Sequence, residues 1–139
     1  MGVISNYTTN YVLSTNLLVK TVSNEHTLLK CNTNYGHCFI INSNKNFSHP
    51  LKIEFDIDSI SSNHYFNIFD EDAEVRVTLP TIGHYIIIIP SNGIITATCN
   101  GNNVSVNSNN PVTNLARLSF FVVNNGDYLT FKNVIIYSI

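Results

Sequence analysis

Residues 51–58 alternate strictly: Leu51, Ile53, Phe55 and Ile57 fall on one face of an extended chain, and Lys52, Glu54, Asp56 and Asp58 on the other. A period of two marks a strand in a sheet with one dry and one wet face. Residues 73–79 repeat it, with Val75, Val77 and Leu79 set against Glu74, Arg76 and Thr78. Residues 85–89, one Tyr and four Ile, do not alternate, which predicts a central strand covered on both faces. Then come Pro90-Ser91-Asn92-Gly93, a strand over 94–99, Asn100-Gly101-Asn102-Asn103 and a strand over 104–106. Asn-Gly supplies the positive φ that a type I′ turn needs at both central positions, so this stretch predicts a three-stranded meander.

The end of the chain reads as a strand over 115–123, a turn at 124–127, and strands over 128–131 and 134–139. Leu129 and Phe131 are in phase, while Val134 and Ile136 are shifted by one, so a bulge at Lys132-Asn133 is expected to reset the alternation. Val134 and Ile136 are expected in the core, with the closing strand inside a sheet. Before residue 50 the pattern places strands near 11–13, 17–22, 27–31 and 38–42. Tyr65, Phe66, Ile68 and Phe69 fit a strand better than a short helix. Roughly ten short strands at 8–12-residue spacing predict an all-β, antiparallel two-sheet β-sandwich. No composition shift or linker divides residues 1–139, so a single domain is expected.

Composition strengthens this picture. There are 22 Asn and no Gln, with 17 Ile, 12 Val and 12 Thr but 3 Ala. Asn caps its own backbone and favours turns, while Ile, Val and Thr suit a pleated surface. AT-rich coding also favours Asn and Ile. Charged residues are 12% and the net charge is −2, a field too weak for a nucleic-acid footprint or electrostatic membrane attachment. Residues 1–10 lack the basic and apolar regions of a signal peptide. The longest apolar run is far below the roughly 20 residues of a membrane helix, so no membrane insertion is expected. Sequons at Asn6, Asn46 and Asn103 carry no weight in so Asn-rich a chain. The neutral, amide- and hydroxyl-rich surface suits hydrogen bonding to neutral ligands such as sugars.

From residue 51 onward the order of elements resembles a jelly-roll sandwich of the laminin-G, concanavalin-like or carbohydrate-binding-module kind. The resemblance rests on LKIEFDID at 51–58, HYIIIIPSNGIITATCNGNNVSV at 84–106, the strand over 115–123, and YLTFKNVIIYSI at 128–139. Domains of this kind occur on phage tail proteins, microbial surface proteins and secreted glycosidases. The resemblance therefore implies recognition of a glycan or cell-surface polymer, with an extracellular or virion-surface setting. It assigns no sugar-stacking position, and the chain has no Trp.

The candidate chemistry is sparse. His64-Tyr65 and His84-Tyr85 each join an imidazole to a phenol at a strand start, and would make a ligand patch if those ends meet. Asp70, Asp72 and Glu74, with Glu71 between them, supply oxygen ligands of the kind Ca²⁺ takes. The other reading of that cluster is a solvated turn whose repulsion Arg76 relieves. Cys31 and Cys38 flank a turn and would bond if they face each other across a hairpin; with Cys99 the count is odd, and buried free thiols are the simpler expectation. Glu54 and Asp56 share a strand face, as glycosidase acids sometimes do, but no nucleophile elbow or phosphate loop accompanies them. The expected function is thus a non-catalytic binding module for a glycan or cell-surface polymer, with a viral tail or surface protein as the expected parent. The alternative is a structural domain of a capsid, fibre or spike that forms homo-oligomers.

Overall fold

The computed structural model describes residues 2–6, 12–13, 17–21, 26–42, 50–70, 74–108, 110–113 and 115–139. Every element among them is a strand: β1 Gly2–Asn6, β2 Val12–Leu13, β3 Leu17–Thr21, β4 Thr27–Cys31, β5 Gly36–Asn42, β6 Leu51–Ile60, β7 His64–Asp70, β8 Glu74–Leu79, β9 Gly83–Ile89, β10 Thr96–Cys99, β11 Asn102–Asn103, β12 Leu115–Val122 and β13 Tyr128–Ser138. Eight of them form one antiparallel sheet in the order β11-β10-β9-β6-β13-β4-β3, with β1 also paired to β13. The other five form a second sheet, β2-β5-β12-β7-β8. The chain is an all-β, antiparallel two-sheet sandwich.

The alternating strands behave as their patterns require. Leu51, Ile53, Phe55 and Ile57 are buried, and their charged neighbours face outward from the larger sheet. In β9 the parity is the same: Tyr85, Ile87 and Ile89 are buried, whereas Ile86 and Ile88 are half-exposed on the outer face. The expectation that β9 is covered on both faces is therefore corrected. Ile86 and Ile88 stand beside Glu54 and Lys52 in register, where a partly wet position tolerates Ile. Asn100 and Gly101 both take positive φ, 50° and 83°, as the hairpin turn demands. The third strand of the meander is Asn102–Asn103 rather than 104–106; Val106 instead makes an isolated bridge to Val77 of the other sheet. Around that bridge, Thr78 N–H donates to Ser105 O at 2.9 Å, Asn107 N–H to Arg76 O at 3.0 Å, and Arg76 N–H to Asn107 Oδ1 at 2.7 Å.

The bulge lies where the phase shift places it. Lys132 pairs with Asp56 and Ile135 with Glu54, so β13 spends one extra residue, and Asn133 takes φ of 55°. Val134 and Ile136 are fully buried. β13 is interior, with β6 on one side and β4 and β1 on the other.

The two sheets meet through an aromatic core. Phe55, Tyr85 and Phe131 come from the larger sheet, and Phe66 and Phe120 from the smaller. Phe120 stacks on Phe131 at 4.3 Å and meets Phe55 and Phe66 edge-on at 4.9 and 5.1 Å. Cys31, Cys38 and Cys99 are buried and none forms a disulfide with another. Cys31 and Cys38 do not share a hairpin: β4 belongs to the larger sheet and β5 to the smaller, so the turn between them crosses from one layer to the other.

Candidate functional site

The outward positions of the smaller sheet carry a cluster of rings, in which His37, Phe39, Tyr65 and Phe69 are half-buried and Phe121, Ser119 and Asn67 are buried beneath their neighbours. In β5, Cys38 and Ile40 point into the core, so His37 and Phe39 point out. In β7, His64, Phe66 and Ile68 point in, and Tyr65, Asn67 and Phe69 point out. In β12, Leu118, Phe120 and Val122 point in, and Arg117, Ser119 and Phe121 point out. Register sets Phe121 beside both His37 and Tyr65, Ser119 beside Asn67, and Arg117 beside Phe69.

These neighbours build a stack of four rings. Tyr35 lies on Phe121 at 6.0 Å and 19°, Phe121 on His37 at 4.4 Å and 10°, and His37 on Phe39 at 5.2 Å and 11°. Tyr65 flanks Phe121 at 6.1 Å, and Phe69 flanks Phe39 at 6.3 Å. The two guanidiniums lie over the rings: Arg76 over Phe121 and Tyr65 at 5.2 and 5.6 Å, Arg117 over Phe69 and Phe39 at 4.3 and 5.6 Å. Cation–π contact of this kind fixes an arginine at little entropic cost. Burial pushes the His37 imidazole below its ordinary range, and Arg117 and Arg76 add to this against the opposing pull of Glu74. His37 therefore sits in the stack as a neutral ring, with Nδ1 3.0 Å from Ser119 Oγ.

Tyr35 is the rim of this surface. It is 64% exposed and holds φ of 58°, a conformation a bulky residue avoids. Such strain costs about 1–3 kcal/mol and collects at ligand sites. At the floor, Asn67 is fully buried; its Nδ2 donates to Glu74 Oε1 at 2.9 Å, and its Oδ1 is buried with no partner.

The residues singled out from sequence are dispersed. His64 is buried at the edge of the core, with Nε2 3.1 Å from Ser61 Oγ, and burial lowers its basicity. Tyr65 faces outward on the smaller sheet. His84 faces outward on the larger sheet, and Tyr85 is buried with its hydroxyl donating to Thr81 O at 2.5 Å. The two His-Tyr pairs thus lie in different sheets and form no common patch; of the four, only Tyr65 joins the aromatic surface. Among the candidate calcium ligands, Asp72 lies outside the described residues. Asp70 Oδ2 accepts from Thr113 N at 2.9 Å, and Glu74 Oε1 takes Asn67 and Arg76. Among the described residues no three His, Cys, Asp or Glu side chains gather in a metal-binding group.

The larger sheet's outer face carries a charge ladder. Register brings His84 opposite Asp56, and its ring bridges Asp56 Oδ1 at 2.6 Å and Glu54 Oε1 at 3.2 Å. Asn133, turned outward by the bulge, donates to Asp56 Oδ2 at 2.9 Å. Lys132 and His26 meet Asp58 at 3.6 and 2.5 Å. Beside the ladder a hollow of about 320 Å³ is lined by Asp56, Asp58, Ile82, Gly83, Asn100 and Lys132. Burial pushes the Glu54 and Asp56 carboxyls up, but the hydrogen bonds from His84, Asn133 and Tyr137 and the nearby cations outweigh it, so both lie below their ordinary range. A glycosidase needs one acid raised instead. The Asp56 hydrogen bond raises His84, against burial and with Glu54 adding to it.

This ladder gives stability a pH dependence. A raised His84 stabilises fully below its ordinary 6.5 and loses that contribution as pH rises through the folded value. The lowered Glu54 and Asp56 stabilise above 4.5 and 3.8 and lose it as pH falls through their folded values. His37 and His64, both lowered, act oppositely to His84. The comparison that isolates the ladder is wild type against His84→Gln. The urea midpoint gap between them should shrink from about pH 5.5 to about pH 8.5. An unchanged gap would show that the bridge carries no stability.

No family model matches the chain, and no curated protein sequence matches it. Solved structures do. An exo-β-agarase is similar over 100% of this chain at TM-score 0.63 and 13% identity, and the chain spans 24% of that enzyme. A family 29 carbohydrate-binding module matches 96% of this chain and 85% of its own length at TM-score 0.58 and 16% identity. The receptor-binding domain of botulinum neurotoxin D matches 93% of this chain and 44% of its own at TM-score 0.55 and 11% identity. At such identities the likeness is one of fold.

Proposed function

We propose that the chain is a carbohydrate-binding module that lays a glycan along the aromatic face of the smaller sheet. The observation that carries this is the four-ring stack of Tyr35, Phe121, His37 and Phe39, flanked by Tyr65 and Phe69 on an outward sheet face. Sugar rings offer C–H surfaces that pack on aromatic side chains, and the exposed Tyr35 with the half-buried Phe39, Tyr65 and Phe69 present such rings to solvent. The likeness to a carbohydrate-binding module supports the same reading. The acidic ladder on the other face, with both carboxyls lowered, favours binding over hydrolysis. Attachment to a larger viral tail or surface protein is the setting in which such a module acts.

A glycan array followed by calorimetry tests this. Tyr35→Gly should weaken binding about tenfold, or ~1.4 kcal/mol. The same change relieves the left-handed strain, so the thermal midpoint should hold or rise. Loss of binding without loss of stability is the expected signature. Wild-type protein that binds no sugar, or Tyr35→Gly protein that binds as wild type does, would overturn the reading. A stable oligomer that dissociates on Tyr35→Gly would favour the assembly alternative.

A further inference from the structure

Resting on the glycan reading above, we infer that the ligand is an anionic glycan, with a carboxylate or sulfate group seated against Arg117. The chain has five lysines and two arginines, and both arginines stand on the aromatic face. Arginine's planar fork matches carboxylate and sulfate oxygens two at a time, which a lysine ammonium does not. Arg76 is already committed, with Nε 2.8 Å from Glu74 Oε1. Arg117 pairs with no carboxylate among the described residues and is exposed at its outer side. A neutral ligand laid on this face would cover that guanidinium without supplying a counter-charge, a costly desolvation. An anionic ligand supplies one.

The test compares three probes by calorimetry: a neutral oligosaccharide, a uronate oligosaccharide and a sulfated oligosaccharide of matched length. At least one anionic probe should bind tenfold or more tightly than the neutral one and weaken as salt rises. Whichever of the two it is identifies the source of the anion. Arg117→Lys keeps the charge and removes the fork, and should cut the anionic-to-neutral affinity ratio about tenfold. Arg117 is exposed, so the variant should lose only the guanidinium's contact with Phe69 and Phe39 and melt slightly below wild type with an unchanged fold, and that control is run alongside. Equal affinity for neutral and anionic probes would overturn the inference while leaving the glycan reading standing. An unchanged ratio in Arg117→Lys would overturn the role of Arg117. Binding to none of the three, with the array also blank, would sink the glycan reading itself.

Discussion

Deleting residues 134–139 is expected to abolish cooperative folding. β13 is the axis of the larger sheet, and this segment pairs with β6 on one side and β1 on the other. Its removal strips two fully buried side chains, Val134 and Ile136, from the core. It also uncovers Leu51 and Ile53, whose strand loses its partner along that edge. Each fully buried aliphatic side chain is worth roughly 1.5–3 kcal/mol. Four such positions, with the ladder hydrogen bonds, reach the whole stability of an ordinary domain, about 5–15 kcal/mol. Circular dichroism on the truncated chain should show no cooperative melt. A soluble truncation with a sharp transition would mean the strand is peripheral.

Phe120→Ala is expected to cost about 3–5 kcal/mol, as truncation of a fully buried aromatic does. Phe120 is the ring through which the sheets grip each other, since it touches Phe55 and Phe131 across the interface and Phe66 beside it. An alanine there leaves a void bounded by three rigid rings, which cannot collapse around it. Urea unfolding should show a lower midpoint with an unchanged slope. A loss below about 1 kcal/mol would show that the neighbouring rings re-pack and that no single ring holds the layers.

Much of the fold is legible in the chain, because the larger sheet has one wet face. The charges of β6 and the phase shift at Lys132-Asn133 each have one physical solution, and the structure adopts it. The aromatic site is not legible, for a related reason. The smaller sheet has apolar or aromatic side chains on both faces, so β12 and β7 lose their alternation; Phe120 and Phe121 are neighbours in sequence and lie on opposite sides. Parity also separates the two His-Tyr pairs. His64 begins its strand pointing inward and His84 points outward, and nothing local tells them apart. The His84 bridge to Glu54 and Asp56 depends on a register set between strands 30 residues apart. The signal that was available is rarer: two arginines in a chain otherwise served by lysine, both on strands of the smaller sheet.

The bridge between Val77 and Val106 bears on how copies of this chain can meet. β8 is the last strand of the smaller sheet, and its free edge would be a template for strand addition. The segment after β11 occupies that edge through the backbone groups of Arg76 and Thr78. Another copy cannot dock there by extending the ladder. Growth of fibres by sheet continuation is blocked on this flank, and a self-assembly that does occur must use side-chain faces or a different edge.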